Sequence, residues 1–155
     1  MKKLSITFGI ILLVLGCVAF SPVAKADPPI VGLWQVHYNG ACTEGFPQPP
    51  EFFTYQQVHS DGLEIETPSF TSGVCMGTWK QMGHIIQIYH VGWVPGGIPV
   101  PGFENIVRFV FTETLTVSHD RNSWDGNLEQ TFYNGDGTIA ATCTYATHAT
   151  RISVP

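Results

Sequence analysis

The stretch ENIVRFVFTETLTVSHDRNSWDGNLEQTFY, residues 104–133, decides the fold of this chain. On both sides of a polar break at 119–121, apolar or aromatic residues alternate with polar ones. Alternation with a period of two is typical of strands with one buried face, and a short polar break between two such runs predicts a hairpin. The stretch therefore predicts two long antiparallel strands, at 104–118 and 122–133, joined by a tight turn.

The rest of the chain repeats this pattern. Thr, Val, Ile and aromatic residues recur with period two between turns rich in Gly, Asp and Asn, and almost nothing has the periodicity of a helix. Eight strands are predicted, at 31–38, 51–59, 62–67, 74–81, 84–93, 104–118, 122–133 and 138–149.

The connections between these strands alternate in length. Long loops at 39–50, 68–73 and 94–103 are separated by tight turns. In an up-and-down barrel alternate connections lie at opposite ends, so the long loops share one end (the open end) and most tight turns share the other (the closed end). Closure of the sheet also removes its edges. We predict an all-β fold, an eight-stranded antiparallel up-and-down barrel, with a two-sheet sandwich as the alternative.

The N-terminal residues have the organisation of an export signal. Two lysines precede an apolar run over 4–20, and 24–26 supplies the small-x-small pattern that signal peptidase requires. We predict a signal peptide over 1–26, a barrel domain over 27–155, and a periplasmic or secreted protein with no transmembrane anchor. A lipoprotein anchored through Cys17 is the alternative.

The charge of the mature chain argues against nucleic acid and anionic lipid as partners. Cleavage would remove three of the seven Lys and Arg residues and none of the twelve Asp and Glu residues, which leaves a net charge of −8 over 129 residues. That length supports a single domain with one core. Because phosphate backbones require a basic surface, nucleic acid is not an expected partner. Binding to anionic lipid is not expected for the same reason, and the oligomeric state is left open.

Three residues on the first strand and after the last strand, all expected at the closed end of the barrel, carry a family resemblance. Gly32 and Trp34 form a G-x-W motif on the first strand, and Arg151 follows the last strand. This resembles the lipocalin (calycin) pattern, in which the tryptophan packs under an arginine after the final strand. The chain lacks the C-terminal helix of typical lipocalins and is more similar to small exported bacterial proteins of this kind. The resemblance implies a calycin-like barrel with Trp34 and Arg151 in a structural role.

No standard catalytic motif is present, so candidate residues follow from their positions in the barrel. His90 shares a strand face with Ile86 and Ile88, which favours an inward direction near the open end, although the opposite parity stays open. Glu113 lies on an apolar face, where an inward carboxylate would have a raised pKa and could act as an acid or base. His90, Glu113 and Tyr145 are therefore the catalytic candidates.

Cofactors are not required by the sequence. His37 has the opposite parity to its apolar neighbours and is expected to point outward, so no metal site is predicted inside the barrel. Haem ligation through His90 alone is compatible with a barrel of this size, but nothing in the sequence demands it.

Residues that contact a ligand are expected around the open end. The Pro- and Gly-rich loop 94–103 is the longest irregular connection after 39–50 and is the expected lid. The candidate ligand-binding residues are His90, Trp93, Phe46, Phe70, Phe103 and Gln56.

Three cysteines remain after cleavage, and an oxidising compartment predicts one disulfide among them. Cys42 lies in the first long loop and Cys75 follows the second, so we expect a Cys42–Cys75 bridge across the open end. A Cys42–Cys143 bridge is the alternative, because the first and last strands are neighbours in a closed barrel.

Two classes of function fit these expectations. The first is an exported barrel that binds a small apolar or amphipathic molecule in its interior. The alternative is a cofactor-free enzyme, an isomerase, cyclase or decarboxylase acting on a small organic substrate. A filled barrel that acts through its surface is the third interpretation.

Overall fold

A computed structural model describes residues 28–69 and 74–153. Its strands are β1 (Gly32–Cys42), β2 (Glu51–Val58), β3 (Leu63–Pro68), β4 (Cys75–Met82), β5 (Ile85–Trp93), β6 (Ile106–Val117), β7 (Ser123–Asn134) and β8 (Ile139–Arg151). Each strand pairs antiparallel with the next, and β8 pairs with β1 to close the barrel. The predicted eight-stranded antiparallel up-and-down barrel is confirmed, and the two-sheet sandwich is wrong. Within the described ranges, no helix is long and apolar enough to span a membrane.

Alternate residues of the strands point into the barrel, and β8 alternates between buried and exposed positions from Ala141 to Thr150. The closed end is filled by large apolar side chains. Trp34 and Trp124 are fully buried there and meet edge to face, with their ring centroids 6.4 Å apart. Burial of several such side chains is the main stabilising contribution. The packed core therefore occupies the closed end and leaves room at the open end.

Arg151 covers the closed end. Its guanidinium lies over the indole of Trp34, with Cζ 4.1 Å from the ring centroid. Nη1 donates a hydrogen bond to the carbonyl of Val31 at 2.8 Å and Nη2 to that of Pro29 at 2.5 Å. Gly32 has a φ of +147°, and a Cβ built there would lie 2.2 Å from Nη1 of Arg151. A side chain does not fit at this position, which explains why the first residue of the G-x-W motif is glycine.

The disulfide joins Cys42 to Cys143, so the expected Cys42–Cys75 bridge is wrong. The physical reason is the length of β1, which runs four residues beyond its predicted end at 38 and makes Cys42 the register partner of Cys143 on β8. Residues directly opposite on antiparallel neighbours have closely spaced Cβ atoms. Cys75 lies on β4, which β2 and β3 separate from β1, and is a buried free thiol.

A disulfide is consistent with an extracellular or periplasmic location. The predicted signal peptide over 1–26 and the alternative lipid anchor at Cys17 lie outside the described residues.

Candidate functional site

A cavity of about 760 Å³ opens at the end of the barrel that carries the long loops. Its walls are mostly apolar, and Gln48, Glu66 and Gln130 contribute polar side chains. Gly92 on β5 helps to shape it, because the ring of Phe109 lies where a Cβ on residue 92 would be, at 2.1 Å. The aromatic side chains that line the cavity are Tyr38, Phe46, Phe52, Trp93, Phe109, Phe111 and Phe132.

Loop residues and strand ends form the mouth of this cavity. Phe46, from the loop after β1, packs against Phe132 on β7 and Phe103 in the loop before β6, at centroid distances of 4.4 and 5.1 Å. Trp93 lies at the rim and is 71% exposed. Phe70, predicted to bind ligand, lies outside the described residues. Phe46, Trp93 and Phe132 therefore line the cavity from separate parts of the chain, whereas Phe103, predicted to bind ligand, contacts Phe46 and is not among the lining side chains.

A row of buried polar side chains lies at and beneath the floor of the cavity. The hydroxyl of Tyr38 donates to Oε1 of Glu66 at 2.7 Å, and Nε2 of Gln56 donates to that hydroxyl at 2.9 Å. Nε2 of Gln56 also lies 3.4 Å from Oε2 of Glu113. These hydrogen bonds connect side chains from β1, β2, β3 and β6 across the interior.

His90 extends this row between two glutamates. Its Nδ1 lies 3.2 Å from Oε2 of Glu66, and its Nε2 faces Oε2 of Glu64. The imidazole is fully buried and lies against Gly77 on β4, where a Cβ would be 1.9 Å from its Cδ2 atom. Glycine at this position therefore allows the ring to lie flat against the neighbouring strand.

The row contains three buried carboxyl groups, of which Glu64 and Glu66 contact the imidazole of His90, and their environments differ. Burial, followed by the charges of Glu66 and Glu113, raises the pKa of Glu64 to about 10. Burial also raises the pKa of Glu113 to about 8. Burial alone would raise the pKa of Glu66, but its hydrogen bond and charge interaction with His90 outweigh that effect and lower it. The negative charge of the row is therefore placed on Glu66.

This distribution has a simple hydrogen-bonding consequence. Nε2 of His90 faces the carboxyl group of Glu64, and the Nδ1–H of His90 can donate to the carboxylate of Glu66. Glu66 is the carboxylate that reaches the cavity wall. The arrangement thus presents a charged acceptor at the floor of an apolar cavity, with exchangeable protons behind it.

The structure brings together only part of the predicted catalytic set. His90 and Glu113 both point inward and belong to the buried row. Tyr145 also points inward, but its hydroxyl lies near the mouth, 3.1 Å from Sγ of Cys42. The three side chains do not converge on one point. Gln56, predicted to contact ligand, is fully buried and is not among the side chains that line the cavity.

Three residues of the row, Tyr38, Glu64 and Glu66, are not among the site residues predicted from the sequence. Alternation along β3 favours burial of Leu63, yet Leu63 is 39% exposed and both glutamates point inward. The register explains this, because Glu64 is paired with inward-facing Val58 and Glu66 with inward-facing Gln56 on β2. Directly opposite residues share a face of the sheet. Once Gln56 and Val58 on β2 are assigned to the interior, matching residues across the turn between β2 and β3 places Glu66 and Glu64 on the same face. The position of this turn is therefore the sequence signal that would have identified the two glutamates.

Haem ligation by His90 would require one of its nitrogens to leave a carboxylate. In the two described segments of the chain, no three His, Cys, Asp or Glu side chains are grouped so that they could hold a metal ion.

No protein-family model matches this chain, and no curated protein matches it. Among solved structures, the chain is similar to a protein of unknown function from the DUF3598 family, from Nostoc punctiforme, with 16% identity and a TM-score of 0.35. The match covers 86% of this chain and 53% of that protein, so this chain spans about half of its length.

Proposed function

We propose that this protein is an exported, lipocalin-like barrel that binds a small apolar or amphipathic molecule in the cavity at its open end. The observation that carries this proposal is the cavity itself, with a volume of about 760 Å³ and mostly apolar walls. Small-molecule sites are typically concave, largely apolar cavities of about 300–1,000 Å³ with a few polar groups. Glu66 and Gln130 supply such groups.

Two further observations support the exported, lipocalin-like part of the proposal. The stacking of Arg151 on Trp34 is the contact that the lipocalin resemblance implies. The disulfide between Cys42 and Cys143 suits an oxidising compartment, as does the signal-like pattern over 1–26.

The test is a titration with Nile red, a neutral apolar dye that becomes fluorescent in apolar surroundings. The double variant L128W/Q130W places two indoles in the cavity, because both residues line it. The double variant N127W/E129W places the same groups on the exposed face of the same strand. We expect the wild-type protein and N127W/E129W to bind the dye alike and L128W/Q130W to bind at least about tenfold more weakly, a difference of about 1.4 kcal/mol.

Thermal unfolding of all three proteins, followed by circular dichroism, verifies that each is folded. Absence of dye binding by the wild-type protein would overturn the proposal. Equal binding by both double variants would also overturn it, because the dye would then occupy another surface.

The buried row favours one second function, a cofactor-free isomerase, cyclase or decarboxylase. A carboxylate at the floor of the cavity, backed by an imidazole and a protonated carboxyl group, could accept and return a proton. The test follows deuterium incorporation from heavy water into benzylacetone by proton NMR. Exchange by the wild-type protein that is lost in Glu66→Gln would support this function. A bound ketone that exchanges no faster than in buffer would contradict it.

A further inference from the structure

We infer that the cavity selects a cationic amphiphile, whose ammonium group binds at Glu66 and whose apolar tail lies among the aromatic rings of the walls. This inference rests on the binding function proposed above and specifies the chemical class of the ligand.

The charged part of the cavity lining is acidic. Among the described residues that line the cavity, Glu66 is the only charged side chain, and none is Lys, Arg or His. A charge removed from water is strongly unfavourable unless it is paired. A neutral ligand would leave the charge of Glu66 without a counter-charge from the ligand, and an anion would be repelled. A ligand cation would complete the pairing.

The side chains that contact Glu66 inside the barrel, His90 and Tyr38, do not remove its need for a positively charged partner in the cavity. His90 is the one basic side chain in the described part of the row, and it is shared between Glu66 and Glu64. One basic side chain therefore faces two buried carboxyl groups, and a third carboxyl group, that of Glu113, lies in the same row, so the row holds more acidic than basic side chains. Tyr38 contributes a hydrogen bond to Glu66 but no positive charge.

Aromatic rings lie near Glu66 at the floor of the cavity. Tyr38 contacts Glu66 directly, and Phe52 stacks on Tyr38 with ring centroids 4.6 Å apart. Phe111 lies against His90, at a centroid distance of 3.9 Å, and also lines the cavity. Aromatic faces attract ammonium groups through their quadrupoles, most strongly where water is excluded. The floor of the cavity therefore combines a carboxylate with rings that favour a cation.

The test compares three probes with the same ten-carbon tail: decylamine, decanol and decanoate. Isothermal titration calorimetry near neutral pH measures their affinities for the wild-type protein. We expect decylamine to bind at least about tenfold more tightly than decanol, as a charge-assisted hydrogen bond would give, and decanoate to bind most weakly. Glu66→Gln is expected to bring decylamine and decanol to within about threefold of each other, because the amide carries no charge.

Glu113→Gln is the matched control. Glu113 is also a buried, inward carboxyl group, but it does not line the cavity, and its pKa of about 8 keeps most of it uncharged near neutral pH. This variant should retain the preference for the amine. Retained decanol binding by Glu66→Gln shows that its cavity is intact, and if that variant does not fold, the wild-type ranking of the three probes decides.

Equal or tighter binding of decanol or decanoate by the wild-type protein would overturn the inference while leaving the proposed binding function intact. A preference for the amine that persists in Glu66→Gln would also overturn it. If none of the probes binds and Nile red does not bind either, the proposed function itself fails.

Discussion

The Nδ1 nitrogen of His90 lies 3.2 Å from Oε2 of Glu66, and this contact connects the cavity to the buried polar row. Glu66 belongs to the cavity wall, whereas His90 is fully buried behind it. A ligand that binds Glu66 therefore changes the surroundings of a histidine that it does not touch.

The buried carboxyl groups predict that the protein is more stable at mildly acidic pH. The folded-state pKa of Glu113 is about 8, and its ordinary value is 4.5. Its stabilising contribution is therefore present in full below the ordinary value and is lost as the pH rises toward 8. Glu64, with a pKa of about 10, acts in the same direction. Between about pH 5 and about pH 8, each group should lower the free energy of unfolding by at most about 1.4 kcal/mol per pH unit.

Guanidinium unfolding at several pH values measures this slope. Glu113→Gln removes one titrating group and should make the slope shallower by up to about 1.4 kcal/mol per pH unit. An unchanged slope in this variant would show that Glu113 is already ionised in the folded protein.

Removal of His90 should destabilise the barrel strongly. His90→Ala leaves the carboxyl groups of Glu64 and Glu66 without the imidazole between them, and breaking such a buried pair costs about 3–5 kcal/mol. The control is His37→Ala, which removes a partly exposed histidine that pairs with Glu51 on the outside of the barrel and should cost less than about 1 kcal/mol. Urea unfolding compares the two variants, and similar losses would contradict the prediction.

Arg151 should contribute measurably to closure of the barrel. Arg151→Ala removes the stacking on Trp34 and the hydrogen bonds to the carbonyls of Pro29 and Val31. We expect a loss of about 3 kcal/mol in the free energy of unfolding. Arg151→Lys keeps the charge but not the planar fork, so it should recover less than half of that loss. Full recovery by lysine would show that charge alone matters.

The disulfide predicts a dependence of stability on reducing agent. Cys42 and Cys143 are 101 residues apart in sequence, and a bridge across so long a loop contributes about 2–5 kcal/mol. Reduction of the wild-type protein and the variant Cys143→Ser should therefore lower the unfolding midpoint alike. Cys75→Ser is the control, and its non-reduced peptide map should still contain the bridge. Loss of the bridge in that control would show that Cys42 is paired with Cys75 in the wild-type protein.

The free thiol of Cys75 should be unreactive in the folded protein. Burial, followed by the charges of Glu66 and Glu64, raises its pKa to about 12. Because the thiolate is the nucleophile, alkylation by iodoacetamide near pH 8 should be about a thousandfold slower than after unfolding in guanidinium. Mass spectrometry follows the modification with time. Rapid alkylation of the folded protein would contradict the raised pKa.

The number, type and order of the strands could be predicted from the sequence. Seven strands begin and end within two residues of their predicted bounds, because alternation is a property of neighbouring residues along the chain. The exception is β1, whose final residues, Asn39–Cys42, lack a clear alternation and are held by pairing with β8. Because β1 is longer than predicted, Cys42 lies opposite Cys143 and forms its disulfide with that residue and not with Cys75.

The sequence by itself determined the barrel, its closed and open ends, and the shared face of His90 with Ile86 and Ile88. Only the tertiary structure decided that Glu64 and Glu66 point inward and meet that histidine. The physical reason is register, since the face of a strand changes with a shift of one residue and is set by its neighbours across the sheet. Local alternation favoured Leu63 for the interior, whereas pairing with Val58 and Gln56 placed the glutamates there.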